Sequence, residues 1–221
     1  MGPTASLSEV QSEIERVYRL YRGLARDLDP NAGLGGRLLW AGELDDEGCR
    51  LVRAANIAGA ASLSAAADAA AQRHAIREGV IDFLVTSLSE ALRILKNEIR
   101  KRNTVAVGVA AAQERVAQEM RERGVAPDLL RTKARGDGTA YFFEHGARVA
   151  APAPLPDGCE FRIFADPPVD FEARALALIP ESDYAMRRWL RLSPRYLGPR
   201  ARRVRSLACT ADAAAALTTD H

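Results

Sequence analysis

Between residues 37 and 130, short apolar runs alternate with amphipathic stretches of helical period. This beat constrains the fold more than anything else in the chain. The runs at 37–41, 60–63, 80–85, 104–109 and 128–130 read as strands, although few of their residues are β-branched. Helices are predicted between them. Asp45, Asp46 and Glu47 open the one over 45–59, where carboxylates meet free N–H groups and the positive end of the helix dipole. An alanine-rich helix over 66–78 is closed by Gly79. Ser87 and Glu90 read as a capping box for a helix over 87–102, whose last turn holds Arg100, Lys101 and Arg102. A helix over 111–123 is closed by Gly124, and Pro127 precedes the fifth strand. Strands joined by helices through loops this short lie parallel. Right-handed crossovers then give an α/β fold: a doubly wound, mostly parallel Rossmann-like sheet.

The flanks read differently. Val10, Ile14, Val17, Tyr18, Tyr21, Leu24 and Leu28 make an apolar stripe that predicts an N-terminal helix over 7–28, started by Ser6 or Ser8 and stopped by Pro30. After residue 134 the rhythm breaks. Gly136, Asp137 and Gly138 read as a turn, and 139–144 with 148–151 as a hairpin around His145 and Gly146. Strands are expected over 160–165 and 204–209, helices over 171–179 and 182–192, and a frayed alanine-rich tail over 210–221. The expected organisation is an N-terminal helix (1–32), a Rossmann-like domain (33–134), a small α+β extension that adds strands or covers a sheet edge (135–210), and a tail (211–221).

Composition narrows the function classes. Of 221 residues, 48% are apolar and 27% charged, enough for a core and a hydrated surface. No apolar run reaches the ~18 residues of a membrane span. The acidic N-terminal segment has no apolar stretch of the secretory kind. Cys49, Cys159 and Cys209 form neither a metal pattern nor a disulfide framework, so a reducing cytoplasm is the expected location. Each reads as a small packing residue. His74, His145 and His221 have no second ligand at metal spacing. The arginine-dominated basic content accords with a GC-rich genome of bacterial type.

Read without gaps, residues 68–128 join Gly79 and Asp82 to Leu88, Glu90, Ala91 and Leu92, then Gly108, then Arg123-Gly124 and Pro127-Asp128. At this spacing they resemble the NAD-binding middle domain of urocanase (urocanate hydratase), an enzyme of histidine breakdown. A weaker similarity runs upstream through residues 34–42, Leu-Gly-Gly-Arg-Leu-Leu-Trp-Ala-Gly, and Gly59-Ala60, so the resemblance covers roughly residues 18–128. It implies a Rossmann-like fold and, in the family, an NAD cofactor.

The positions that would hold the dinucleotide depart from that family. Its glycine-dense loop keeps Gly42 and Gly48 here, with Glu43, Leu44, Asp45, Asp46 and Glu47 between them. Three carboxylates stand where two phosphate charges would sit. Like charges ~4 Å apart at an effective dielectric of ~20 cost roughly 4 kcal/mol per pair, against about 0.3–1 kcal/mol from a helix dipole. The acid expected to bind the ribose falls on Ala66, and the family's Gly-Asn pair on Ala111 and Ala112. The polar stretch after Pro-Asp becomes Arg131, Thr132, Lys133 and Ala134. The family's flanking domains, with their cysteine motif, have no counterpart in the resemblance. These departures disfavour NAD and lead to the expectation of no cofactor.

Three functions are consistent with this sequence. The favoured one is a non-catalytic, urocanase-related pseudoenzyme acting through protein interaction, as a homodimer or with a partner protein. The alternative is a binding protein, or a small urocanase-like lyase relative, that takes another anionic ligand in the crevice above the strand C-termini, lined by Gly42, Gly48 and Gly108. The third is an RNA-binding accessory protein. Its surface would be Arg187, Arg188, Arg191, Arg195, Arg200, Arg202, Arg203 and Arg205, with Trp189 and Tyr196 among them for stacking. The plainer reading is that these arginines pair with carboxylates of the chain or of a partner subunit. Asp45, Asp46 and Glu47 likewise read more simply as first-turn helix residues than as an acid/base pair.

Overall fold

A computed structural model describes residues 6–131 and 139–218. Six strands, β1 (Leu38–Glu43), β2 (Ala61–Ala65), β3 (Phe83–Val85), β4 (Ala106–Val109), β5 (Leu129–Arg131) and β6 (Arg148–Ala150), form one sheet in the order β3-β4-β2-β1-β5-β6. Every pairing is parallel. The alternation along β1 sets the two faces. Leu39 and Ala41 pack on one side, with α2 (Asp46–Ala58) and α3 (Ala69–Arg77). Leu38 and Trp40 pack on the other, with α4 (Leu88–Arg100), α5 (Gln113–Glu122) and α6 (Ala140–Glu144). The first two crossovers run one way across the sheet and the last three run back. A uniform right hand therefore puts α2 and α3 on one face and α4 to α6 on the other.

Local chemistry places the helix ends. Asp45, Asp68 and Ser87 are N-caps, accepting the N–H groups of Gly48, Ala71 and Glu90. The reciprocal half of the Ser87 box is displaced by one residue, because Glu90 accepts the N–H of Thr86 at 3.0 Å. Gly79 and Gly124 take left-handed φ values of 64° just past their helices. Two aspartates tie down strand starts. Asp82 accepts the N–H of Ala106 at 2.8 Å, and Asp128 accepts that of Leu38 at 2.8 Å.

The structure corrects several sequence expectations. Residues 139–151 are not a hairpin. Ala140–Glu144 is a helical turn, and Arg148–Ala150 pairs parallel with β5 as a sixth strand. The aromatic run Tyr141-Phe142-Phe143 favours strand locally. One helical turn, however, buries Phe142 completely in the core under the sheet while leaving Phe143 exposed. The tail is not frayed over Ala211–Thr218, which form α9 with Leu217 buried. The third strand is shorter than expected, and the N-terminal helix, α1 (Leu7–Leu24), passes into a 3₁₀ turn at Ala25–Asp27. The turn at 136–138 and the last residues of the tail lie outside the described residues.

The extension adds β6 at one edge of the sheet, and the rest of it covers helices. Its strands β7 (Glu160–Ala165) and β8 (Val204–Cys209) make a separate antiparallel pair. α1 and α8 (Tyr184–Tyr196) lie against α2, which is thereby enclosed between them and the sheet. Four aromatics lock this layer. Trp189 stands 4.9 Å from Tyr18, 5.3 Å from Tyr21 and 6.5 Å from Phe161, centroid to centroid. Its Nε1–H donates to Ser206 O at 2.8 Å, and the Tyr21 hydroxyl donates to Ala185 O at 2.6 Å. Burial pushes both tyrosine hydroxyls well above the usual phenol range.

Candidate functional site

β1 leads into α2 on one face of the sheet, and β5 leads towards α6 on the other. Their C-terminal ends therefore part at a topological switch point, the usual ligand position in open α/β sheets. A cavity of about 190 Å³ lies there, walled by Trp40, Gly42, Glu43, Asp45, Gln113 and Arg131 among others. Small-molecule sites are typically about 300–1,000 Å³.

Arg131, the last residue of β5, organises this cleft. Its Nη2 donates to Asp45 Oδ2 at 2.9 Å and to Glu47 Oε2 at 2.8 Å, and its Nη1 donates to Glu43 O at 3.3 Å. Asp45 also turns inward, its Oδ1 accepting the Gly48 N–H at 2.8 Å. Partial burial pushes the Asp45 carboxyl upward. Hydrogen bonds from Arg131 and Gly48, with the arginine's charge, outweigh that and hold it below the usual carboxylate range. Burial likewise works against the Arg131 charge, and the two carboxylates more than offset it, raising its pKa.

Glu43 behaves in the opposite sense. Burial raises its carboxyl most, and burial together with the charges of Glu114 and Asp45 outweighs the relief from the Ala67 N–H and Arg131. Glu43 reaches with its carboxyl to the Ala67 N–H, just past the end of β2. Its backbone N–H is taken by Gln113 Oε1 at 2.9 Å. A folded pKa above the unfolded one makes the protonated form favour folding at low pH. That stability is lost as pH rises through the folded value, so the charged Glu43 opposes folding at neutral pH. Glu43→Gln is expected to stabilise the protein at pH 7 by about 0.2–0.5 kcal/mol after solvent screening, with the gain gone near pH 3. Urea titrations at the two pH values check this, and a destabilised Gln variant at pH 7 contradicts it.

The expected glycines separate in space. Gly42 lines the cavity with a φ of +70°, and a Cβ there would stand 2.9 Å from Gln113 Oε1. Gly48 lies in the first turn of α2, where a Cβ would come within 2.0 Å of Glu43 O. Gly108 is on β4, two strands from β1, under Ile81, Leu44 and Leu84, and does not line the cavity. Close packing of the protein on itself accounts for Gly48 and Gly108 without a ligand.

A dinucleotide does not fit these residues. Its pyrophosphate needs free N–H groups at the head of α2. The Asp45 carboxylate already accepts the Gly48 N–H there, and Glu47 stands beside it in the same ion cluster.

The arginine stretch divides into two sets. Arg187 caps the end of α7 (Phe171–Leu178), donating to Leu176 O and Ile179 O at 2.9 and 2.8 Å. Arg188 caps the end of α2, its Nε donating to Ile57 O at 2.7 Å. Arg205 donates to Val204 O, and Arg203 faces Asp166 at 3.4 Å across a highly exposed pair. Arg191, Arg195 and Arg202 are exposed, Arg195 lying 5.2 Å over the Tyr196 ring. Trp189 is fully buried, so it offers no stacking platform. Backbone carbonyls, more than the carboxylates expected from sequence, take up these side chains. Cys49 and Cys209 are buried and Cys159 half-buried, all as free thiols, with burial pushing Cys49 up to about 11.

A parallel sheet of this order, with its cleft at the β1–β5 switch, defines a Rossmann-like α/β protein. Residues 22–138 match the family model of the urocanase Rossmann-like domain. The chain belongs to the urocanase family through that domain. Sequence reasoning missed the organising roles of Arg131, Gln113 and Glu43. One usable signal was that Arg131 ends the strand that sequential crossovers bring back beside β1. Among the described residues, no helix is long and apolar enough to cross a membrane.

Proposed function

We propose that this chain is a non-catalytic member of the urocanase family that has given up the dinucleotide and works by binding other protein chains, as a homodimer or with a partner. One observation carries the loss of the cofactor: the Asp45 carboxylate occupies the head of α2, where a pyrophosphate would be held. The interaction role follows from what is left, a family scaffold without the chemistry of its cofactor.

A thermal melt with NAD tests the first half. A bound ligand at about 100 times its Kd adds roughly 2.7 kcal/mol. The expected response is flat, and a rising midpoint refutes the loss. Light scattering after size exclusion tests the second half. The expected mass is a multiple of the 24.0 kDa chain, or that of a complex with a co-purified protein. A clean monomer with nothing recovered overturns it. A second reading, a small ligand in the remaining cleft, is favoured by the cavity beside Trp40 and Gln113. Under that reading a compound far smaller than a dinucleotide raises the melting point.

A further inference from the structure

The mismatch between cleft and dinucleotide raises the question of what holds the cleft together without one. In a dinucleotide-binding Rossmann domain the pyrophosphate sits on the loop after the first strand, satisfying N–H groups and charge at once. Here a single side chain reaches three points of that loop. Arg131 contacts the carboxylates of Asp45 and Glu47 through one nitrogen and the carbonyl of Glu43 through another. Its root is firm. Leu129 and Leu130 pair directly with Leu39 and Trp40, so Arg131 is carried to the loop by the sheet ladder.

We infer that the Asp45–Arg131–Glu47 cluster is a built-in substitute for the ligand, bracing the β1–α2 loop against β5 and closing the switch point to anions. This rests on the reading above that the cofactor is gone. It adds that the loop's order depends on the arginine.

Exposed ion pairs stabilise little, and the Asp45 and Glu47 side chains are half-exposed, at 52% and 54%. Two features set this cluster apart. The guanidinium is only 19% exposed and is shared by both carboxylates. Removing it takes away the bonds it donates to Asp45 and Glu47, on a turn that also carries Glu43. A planar, multi-donor head suits this geometry, and a lysine would hold it less well.

The test uses the full chain and its thermal midpoint. Arg131→Met, which keeps the stem and removes the charge, is expected to lower the midpoint by about 3–6 °C at low salt. Glu47→Gln lowers it less, and the double variant loses less than the two separate losses combined, as coupled groups do. In about 1 M salt, where the Debye length falls to about 3 Å, the gap between Arg131→Met and the parent narrows. It also closes in acid. With its folded pKa depressed, Asp45 contributes stability above the ordinary carboxylate range and loses it as pH falls through the folded value. Should Arg131→Met not fold, Arg131→Lys is expected to fold with a smaller loss.

An Arg131→Met midpoint equal to the parent's at low salt overturns the inference and leaves the cofactor reading standing. A parent midpoint that rises with NAD overturns both. Additive losses that salt does not change also overturn it, since they mark the arginine as packing alone.

Discussion

Trp189→Ala is expected to destabilise the protein by about 3–5 kcal/mol, the largest loss from any single change considered for this chain. The side chain is completely buried and in contact with the rings of Tyr18, Tyr21 and Phe161. It joins α1, α8 and the β7–β8 pair, so the cavity left by alanine opens among three elements that have no common backbone ladder. For a domain of this size that is a fall of roughly 6–20 °C in Tm. Trp189→Phe keeps a ring but drops the bond to Ser206 O and is expected to cost about 1–2 kcal/mol more modestly. Urea unfolding followed by circular dichroism measures both. A Trp189→Ala variant within about 1 kcal/mol of the parent, roughly the cost of an average point mutation, would show that the extension is not locked by this cluster.

Gly48→Ala is expected to cost about 2–3 kcal/mol by overpacking. The new methyl would meet Glu43 O at 2.0 Å, a backbone atom that also accepts from Arg131, so the strand end or α2 has to move. Gly79→Ala provides the contrast. A Cβ there meets nothing within 4 Å, and only the left-handed φ of 64° penalises it. The expected penalty is about 1 kcal/mol. The comparison separates two reasons for a glycine after the first strand of a Rossmann-like sheet. If Gly48 is kept only to let a phosphate approach, Gly48→Ala unfolds at the parent's denaturant concentration. If it is kept for helix-on-strand packing, the midpoint drops without any ligand present.

The residues that made the family legible hold the fold. Gly79 and Gly124 turn the chain out of α3 and α5, and Asp82 and Asp128 bond the starts of β4 and β1. Glu90 caps α4, and Arg123 donates to Ser89 Oγ and to Glu119. Such residues act over a few bonds or across one strand pair, so their spacing in sequence mirrors their spacing in the fold. The cleft was legible only by subtraction, as acids and alanines at positions that need glycines and a ribose acid. The ion cluster that we infer stands in the ligand's place was not legible. Arg131 is 84 residues from Glu47 and 86 from Asp45. The closing of such a loop by long-range contacts leaves no local pattern.

The sequence by itself determined the alternation of strands and helices, the helix caps and the parallel sheet, because period and capping are short-range physics. It also determined membership of the urocanase family, through the same structural residues. Only the tertiary structure decided that residues 140–150 form a helical turn and a sixth strand of the sheet, that α8 and α1 enclose α2, and that Arg187 and Arg188 cap helices. Burial decided each of these. Phe142 and Trp189 have no strong local preference that outweighs the gain of leaving water. An arginine in a basic run binds whichever carbonyls folding has left at a helix end.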